Sequence, residues 1–311
     1  MIEKIIVPID SIEWDNTFMG VETAIEFAKG CRVNGQPELI FIHVLTSSPT
    51  TQLAEGENTV NLEKHRLKDE FYMIEEMCKK RGINKYKTLI TEGDPKKEKG
   101  IDEEIIETAE KENADLIVMG SGKLHDRSFR GRIGKFVYGS VTEKVIHEAP
   151  CSVLVARPAE LVDKILVPVD SLKWDSTMNA VKRGMELSQG CSTEKEPELV
   201  FLHVLHSKPK VPMAERERLM EMKKKTIDEE FKEIEKMCEE RSIKNYETVL
   251  SEGNPEKEII KNAKEKDIDV IVMGSGKLHD RTPQGRIHKF FYGSVTETVL
   301  HSAPCSILVT R

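Results

Sequence analysis

The stretch KIIVPIDSIEWD (4–15) returns later in the chain as KILVPVDSLKWD (164–175), and this repeat decides the fold. The segment VMGSGKLHDR (118–127) returns without a change at 272–281. Self-similarity of this kind marks a structural unit that the chain contains more than once.

The two copies are offset by 160 residues up to Pro95 and by 154 residues after it, because the first copy carries six extra residues near 96–104. The junction between the copies is too short for a further domain. We therefore predict two domains, over residues 1–157 and 161–311.

Apolar, β-branched runs of strand length alternate with helical patterns in the first copy. The predicted strands are Lys4–Ile9, Leu39–Leu45, Tyr86–Thr91, Leu116–Met119 and Cys151–Ala156. The predicted helices include Val21–Ala28, Glu63–Arg81, Ile101–Glu112 and Thr142–Glu148, with Asp94 and Pro95 as a helix start ahead of the third. This order predicts an α/β fold, a doubly wound, mostly parallel sheet with helices on both faces. Such sheets bind ligands at the carboxyl ends of their strands.

Composition excludes several classes of function. The net charge of −7 argues against nonspecific binding to nucleic acid or to an acidic membrane, since both need a basic face. No apolar stretch is long enough to cross a bilayer, and Met1–Pro8 leads directly into a strand without a leader, so we expect a cytoplasmic protein. The six cysteines fall three to a copy without a C-x-x-C pair, which favours buried, reduced thiols and no metal site.

An aspartate follows the first strand of each copy. Asp10 and Ser11 come after Pro8, and the second copy repeats this as Pro168, Asp170 and Ser171. An aspartate in this place either accepts hydrogen bonds from ribose hydroxyls or caps the following helix. Its recurrence beside a glycine-rich loop favours contact with a ligand.

Two glycine clusters follow the fourth strand. The first is Met119-Gly120-Ser121-Gly122-Lys123, and the second, Gly139-Ser140-Val141-Thr142, opens the last helix with Ser140 as the predicted N-cap. Glycines let backbone N–H groups turn toward an anion, and a helix N-terminus attracts phosphate. The alternative is a tight turn followed by a helix cap. The second copy repeats both clusters with Met273, Gly274, Ser275, Gly276, Lys277, Gly293, Ser294, Val295 and Thr296.

A basic insert separates the glycine clusters. Its Lys123 and Arg132, with Lys277 and Arg286 in the second copy, suit either a cationic flap over phosphates or a solvated loop. The Lys is followed by Leu124 where a Walker A loop needs Ser or Thr, so P-loop chemistry is not supported. His125 and Asp126 leave a slow hydrolase as the weakest hypothesis. His43 and His203 lie inside apolar strands and are predicted to be hydrogen-bonded core histidines.

These motifs together resemble the universal stress protein family over nearly the whole chain, twice. The resemblance rests on IIVPID-S, the HV that ends the second strand, EG-x-P, and VMGS…GSVTE-x-V…APCSVLV. It implies two Rossmann-like (adenine nucleotide alpha hydrolase-like) domains, each with a five-stranded sheet. It also implies pairing through the last strands, SVLVA and SILVT, here within one chain; further homodimerisation stays open.

In the nucleotide-binding branch, the resemblance assigns adenine and ribose to Pro8, Asp10, Val44 and Met119, and the phosphates to Gly120, Gly122, Gly139, Ser140 and Val141. The second copy uses the matching set, including Val204. One departure is that sixteen residues separate Gly122 from Gly139, more than in the family's phosphate loop.

Three hypotheses follow. The first is a stress-response regulatory protein that binds an adenine nucleotide, ATP or AMP, with or without Mg²⁺, and has little or no turnover, so no catalytic residue is assigned. The second is a ligand-free protein-interaction module of the same fold. The third is the slow nucleotide hydrolase.

Overall fold

The computed structural model describes residues 2–10, 15–30, 35–45, 56–92, 100–121, 139–157, 162–190, 196–206, 213–275 and 293–311. The chain divides into two compact units, Met1–Pro158 and Ala159–Arg311. Each unit contains one copy of the repeat.

Strands and helices alternate in the N-terminal unit. Its elements are β1 (Lys4–Pro8), α1 (Asp15–Gly30), β2 (Glu38–Leu45), α2 (Gly56–Lys80), β3 (Tyr86–Glu92), α3 (Ile101–Glu112), β4 (Leu116–Gly120), α4 (Ser140–Glu148) and β5 (Ser152–Ala156). The predicted strands are confirmed to within a residue or two, because continuous β-branched runs are typical of strands buried on both faces.

The sheet of this unit is parallel, in the order β3-β2-β1-β4-β5. The chain builds outward from β1 to β3 and then crosses back to β4, so the order of strands reverses between β1 and β4. Right-handed crossovers place α1 and α2 on one face and α3 and α4 on the other. In agreement, α3 and α4 pack against each other. The doubly wound prediction is confirmed.

Hydrophobic burial on both faces of the sheet holds the unit together. The central strands bury Ile5, Ile6 and Val7 of β1 and Ile117 of β4 completely. A fully buried aliphatic side chain contributes about 1.5–3 kcal/mol relative to an exposed one. The predicted apolar stripe of α1 is confirmed by the burial of Val21, Ala24, Ile25 and Ala28.

The C-terminal unit repeats this architecture. Its elements are β6 (Lys164–Pro168), α5 (Asp175–Gly190), β7 (Glu198–His206), α6 (Met213–Glu240), β8 (Tyr246–Gly253), α7 (Pro255–Glu265), β9 (Val270–Gly274), α8 (Ser294–Ser302) and β10 (Ser306–Thr310). Its strands are again parallel, in the order β8-β7-β6-β9-β10.

Three helices begin earlier than predicted: α1 at Asp15 and not Val21, α2 at Gly56 and not Glu63, and α4 at Ser140 and not Thr142. α2 begins at Gly56, before the predicted Glu63, since apolar periodicity marks only the part of a helix that packs on the sheet. α3 begins at Ile101 behind the N-cap Gly100, while Asp94 and Pro95 lie outside the described residues. The same pattern does start the helix in the other copy, where Asn254 caps α7 and Pro255 is its first residue.

The beginning of each sheet is held by an aspartate that the sequence analysis did not identify. Asp115, just before β4, accepts hydrogen bonds from the backbone N–H groups of Glu3 and Lys4 at 2.8 and 3.0 Å. Asp269 holds the start of β6 in the same way.

Four cysteines lie among the described residues, and all are buried and outside any disulfide, in agreement with the predicted buried thiols: Cys78, Cys151, Cys238 and Cys305. Burial raises the pKa of Cys78 to about 12 and that of Cys238 to about 11, so both stay protonated and unreactive at neutral pH. Across the described ranges, no helix has the length and apolarity that a membrane crossing requires.

Candidate functional site

The predicted site residues lie at the carboxyl edge of each sheet. In the N-terminal unit, β1 and β4 are hydrogen-bonded neighbours, so their ends are adjacent. Asp10 is exposed just beyond β1, while Met119 and Ser121 are buried at the end of β4. Because the strand order reverses here, this edge is the place at which doubly wound sheets commonly bind ligands.

The two glycine clusters meet in the C-terminal unit. The hydroxyl of Thr296, in the first turn of α8, donates a hydrogen bond to the carbonyl oxygen of Gly274 at 3.3 Å. Thr296 is 4% exposed, and Thr142 is similarly buried at the equivalent place in α4. The end of β9 and the start of α8 are therefore in direct contact, although seventeen residues between them, 276–292, lie outside the described set.

Gly274 also has a packing role. A Cβ atom at this position would lie 2.4 Å from the carbonyl oxygen of Ser176, in the first turn of α5. No real Cβ atom fits at that distance, so the close approach of α5 to β9 requires glycine whether or not a ligand binds.

The predicted N-cap role of Ser140 is wrong. The N-cap of α4 is Gly139, whose extended backbone (φ −64°, ψ 150°) precedes the helix and whose carbonyl oxygen accepts the N–H of Glu143 at 3.0 Å. Ser140 is the first helical residue, and Gly293 and Ser294 repeat this arrangement. The N-cap lies one residue earlier than predicted, because the first intrahelical hydrogen bond is accepted by the carbonyl of the glycine and not by that of the serine.

A glycine N-cap leaves the helix start without a capping side chain. The first N–H groups of an α-helix have no intrahelical partner, and they carry a partial positive charge. Among the described residues, no atom lies within 4 Å of the place that a Cβ atom of Gly139 would occupy. The arrangement suits an anion.

The hydroxyl of Ser171 is engaged by a buried glutamate. It donates to Glu230 Oε1 at 2.7 Å, and the same oxygen accepts the N–H of Leu172 at 3.2 Å. Glu230 projects from α6 and is 9% exposed, so it holds the loop after β6 in one place. The sequence analysis missed this residue. The available signal was a glutamate on the apolar face of the helix in both copies, Glu70 and Glu230.

The strand histidines differ between the copies. His43 is 4% exposed and its Nδ1 lies 2.8 Å from the carbonyl oxygen of Ile9, which confirms the predicted core histidine. His203 is only partly buried. The backbone of Val169, the counterpart of Ile9, lies close enough to the His203 ring to act as its hydrogen-bond partner. The predicted core position is therefore confirmed for His43, while His203 lies in the same strand position with part of its side chain exposed.

The remaining predicted residues divide into two groups. Those that the structure brings to the carboxyl edges are Pro8, Asp10, Val44, Met119, Gly120, Ser121, Gly139, Ser140, Val141, Thr142, Pro168, Asp170, Ser171, Val204, Met273, Gly274, Ser275, Gly293, Ser294, Val295 and Thr296. Those outside the described residues are Ser11, Gly122, Lys123, His125, Asp126, Arg132, Gly276, Lys277 and Arg286.

No group of three or more His, Cys, Asp or Glu side chains within the described ranges is arranged to hold a metal ion. The groups that the described residues offer at these edges are backbone amides, exposed aspartates and buried methionines.

Comparison with known proteins gives a consistent result. The model of the universal stress protein family matches residues 1–157 and again 162–311. A universal stress protein of Methanothermobacter thermautotrophicus is 33% identical over 158 residues, which cover 49% of this chain and 97% of that protein. One of Methanocaldococcus jannaschii is 29% identical over 161 residues, covering 51% and 87%.

Solved structures match over the full length. The crystal structure of a universal stress protein from Archaeoglobus fulgidus superposes with a TM-score of 0.68 at 21% identity, covering 99% of this chain and 98% of that one. A putative universal stress protein from Pseudomonas aeruginosa gives 0.61 at 17% identity, covering 99% and 93%. These likenesses show the fold. The chain belongs to the universal stress protein family, whose model it matches once in each half.

Proposed function

We propose that the chain is a stress-response regulatory protein that binds an adenine nucleotide, ATP or AMP, at the carboxyl edge of each sheet and turns over little or none of it. The observation that carries the proposal is the hydrogen bond from Thr296 to the carbonyl of Gly274, 3.3 Å long, which holds the start of α8 against the end of β9. Two glycine-bearing bends thus meet at one point of the edge.

The phosphates would lie at the helix start. The first turn of α4, behind Gly139, offers backbone N–H groups and the positive end of the helix dipole, with Ser140 exposed to solvent. Ser140 and Val141 are the first residues of that turn, and Ser294 and Val295 match them in α8. Anions at such positions gain up to about 2 kcal/mol in favourable, partly buried geometries.

The nucleoside would lie over the end of the first strand. Asp10 and Asp170 are exposed carboxylates beyond β1 and β6, in reach of hydroxyl donors such as those of ribose. Met119 and Met273, 6% and 5% exposed, form an apolar, polarisable floor beside them. Pairing of the two copies through their last strands stays a prediction from the resemblance.

Thermal unfolding of the full chain in ATP, ADP and AMP tests the proposal. Ligand at a hundredfold excess over its dissociation constant should stabilise the protein by about 2.7 kcal/mol. Replacing both strand-exit aspartates (Asp10→Ala with Asp170→Ala) should remove the shift. The control is Asp69→Ala, an exposed aspartate on α2, which should keep it.

Two results would contradict the proposal. An unchanged melting temperature at millimolar concentrations of all three nucleotides would favour the interaction module. Steady phosphate release from ATP that His125→Ala with His279→Ala abolishes would contradict the statement that turnover is negligible.

A further inference from the structure

A carboxylate lies within the apolar stripe that packs α6 onto the sheet. Ile227, Phe231 and Ile234 are buried, and Glu230 lies among them with 9% of its surface exposed. Burying a carboxylate is unfavourable unless hydrogen bonds replace those that it made to water. An acid at this place is therefore stabilised only through the groups that it contacts.

Two donors of the loop after β6 bond to this carboxylate. Its Oε1 atom accepts the Ser171 hydroxyl at 2.7 Å and the Leu172 N–H at 3.2 Å. The Ser171 oxygen in turn accepts the N–H of Lys173 at 3.4 Å. A serine hydroxyl has a single proton to donate, and here Glu230 receives it. The Ser171 hydroxyl is thus not available as a donor to a ligand.

Asp170 lies between two fixed points of the backbone. On one side, the N–H of Val169 donates to the Leu202 carbonyl at 2.8 Å, which ties the chain to β7. On the other side, Glu230 holds the next two residues, and the second of them, Leu172, is buried. The backbone of Asp170 therefore has little freedom, while its side chain is exposed at the carboxyl edge.

The two carboxylates approach the same histidine. Burial lowers the pKa of His203, and the nearby charges of Asp170 and Glu230 oppose that shift. One carboxylate is open to solvent and the other is buried, and both lie close to one ring of β7. A change at Glu230 therefore alters the immediate surroundings of Asp170.

We infer that Glu230 is a positioning residue for the nucleotide site of the C-terminal copy, and that it makes this site selective for a ligand with two adjacent hydroxyls. The inference rests on the proposed function, which gives the ribose to Asp170. A carboxylate offers two acceptor oxygens, which match the 2′ and 3′ hydroxyls of a ribose. Because Glu230 orders the loop before binding, less conformational freedom is lost in the complex.

Isothermal titration with AMP and with 2′-deoxy-AMP tests the inference. The full chain carries Asp10→Ala, so that the C-terminal site alone is measured. In this background AMP should bind about tenfold more tightly than 2′-deoxy-AMP, because a hydrogen bond to a carboxylate is lost with the hydroxyl. Glu230→Leu should weaken AMP binding by about tenfold and reduce the preference for AMP to less than about threefold. ATP and 2′-deoxy-ATP serve in the same way.

Two further variants separate positioning from a general loss of stability. Glu230→Gln keeps an acceptor oxygen for the loop, so AMP affinity and the preference for AMP should stay within about twofold of the background. Glu229→Leu changes an exposed neighbour on the same helix and should have no effect. Circular dichroism verifies that each unliganded variant is folded. Should Glu230→Leu not fold, Ser171→Ala removes one of the two hydrogen bonds and should reduce the preference for AMP by a smaller factor.

An unchanged preference for AMP in a folded Glu230→Leu or Ser171→Ala variant would overturn the inference and leave the proposed function standing. The same holds if a chain that binds AMP shows, in the Asp10→Ala background, no binding or equal binding of AMP and 2′-deoxy-AMP. Binding of neither AMP nor ATP by the unsubstituted chain would contradict the proposed function and the inference with it.

Discussion

The third strand and third helix of each copy are linked by an ion pair whose charges are exchanged. In the N-terminal copy, Lys87 of β3 donates to Glu112 of α3 at 2.8 Å. In the C-terminal copy, Glu247 of β8 accepts from Lys266, just after α7, at 2.5 Å. Both charges are reversed between the copies, and the ion pair is present in each. The strand and the helix therefore need opposite charges at these two positions, and either one can carry the positive charge.

The first helices show the same kind of exchange. The N-terminal copy has Gly20 and Ala24 in α1, and the C-terminal copy has Ala180 and Gly184 at the equivalent places in α5. A Cβ atom at Gly184 would lie 2.6 Å from Val167 Cγ2, while one at Gly20 would lie 3.2 Å from the Gly120 nitrogen. In each copy a glycine lets the first helix approach the sheet closely. The glycine of α5 lies one helical turn later than the glycine of α1.

The carboxyl edge behaves differently, since it is kept residue for residue. VMGS and GSVTE are identical in both copies. A packing contact can be replaced by an equivalent contact of another composition, whereas backbone amides that contact a ligand, as we propose for this edge, need the same glycines in both copies. Gly274 serves both purposes. It lies at the proposed ligand edge, and it is also a packing contact, because α5 approaches β9 too closely for any side chain at this position.

The largest effect should come from Gly274→Ala. The added Cβ atom would overlap the Ser176 carbonyl, and overpacking of this kind costs about 1–3 kcal/mol of unfolding free energy. Urea denaturation of the unliganded protein measures it. The matched control is Gly20→Ala, which creates the residue found in the other copy and should change stability by less than about 1 kcal/mol. Unchanged stability with lost nucleotide binding would show that Gly274 serves the ligand alone.

A smaller effect is expected from reversing one charge of the exchanged pair. Lys87→Glu places a third carboxylate beside Glu112 and Glu38 and should cost about 1 kcal/mol, since both partners are partly exposed. Adding Glu112→Lys reproduces the arrangement of the C-terminal copy and should restore most of the loss. A double variant as unstable as the single one would contradict the equivalence of the two pairs.

The smallest effect should be the pH dependence that His203 adds. Burial lowers its pKa below the ordinary 6.5, with Asp170 and Glu230 opposing and Lys223 assisting. The unfolded chain then binds more protons than the folded one as the pH falls below about 6.5, so this part of the stability is present above that pH and lost below it. In His203→Gln the decline in unfolding free energy from about pH 7.5 to about pH 5.5 should be shallower. A decline as steep as that of the unsubstituted protein would refute this role.

Local sequence patterns predicted most of the secondary structure. The bounds of α3, Ile101–Glu112, agree with the predicted helix because its apolar period is complete over its length. The early start of α2 was not predicted, because apolar residues do not recur at helical spacing in its first two turns. The N-cap was predicted at Ser140 because serine is a commoner N-cap than glycine, whereas the structure has Gly139 there. The residue types alone do not show which carbonyl accepts the first intrahelical hydrogen bond.

The sequence by itself determined that the chain holds two copies of a parallel α/β domain and that the glycines repeated in both copies follow the fourth strand. These follow from periodicity and repetition, which are local properties. The tertiary structure alone decided that Ser171 bonds to Glu230, 59 residues away, and that Gly274 meets Ser176. It also decided that His43 is buried against the Ile9 carbonyl, while the equivalent His203 is partly exposed. Such contacts depend on how helices settle on the sheet, to within a fraction of an ångström, and no local pattern encodes that distance.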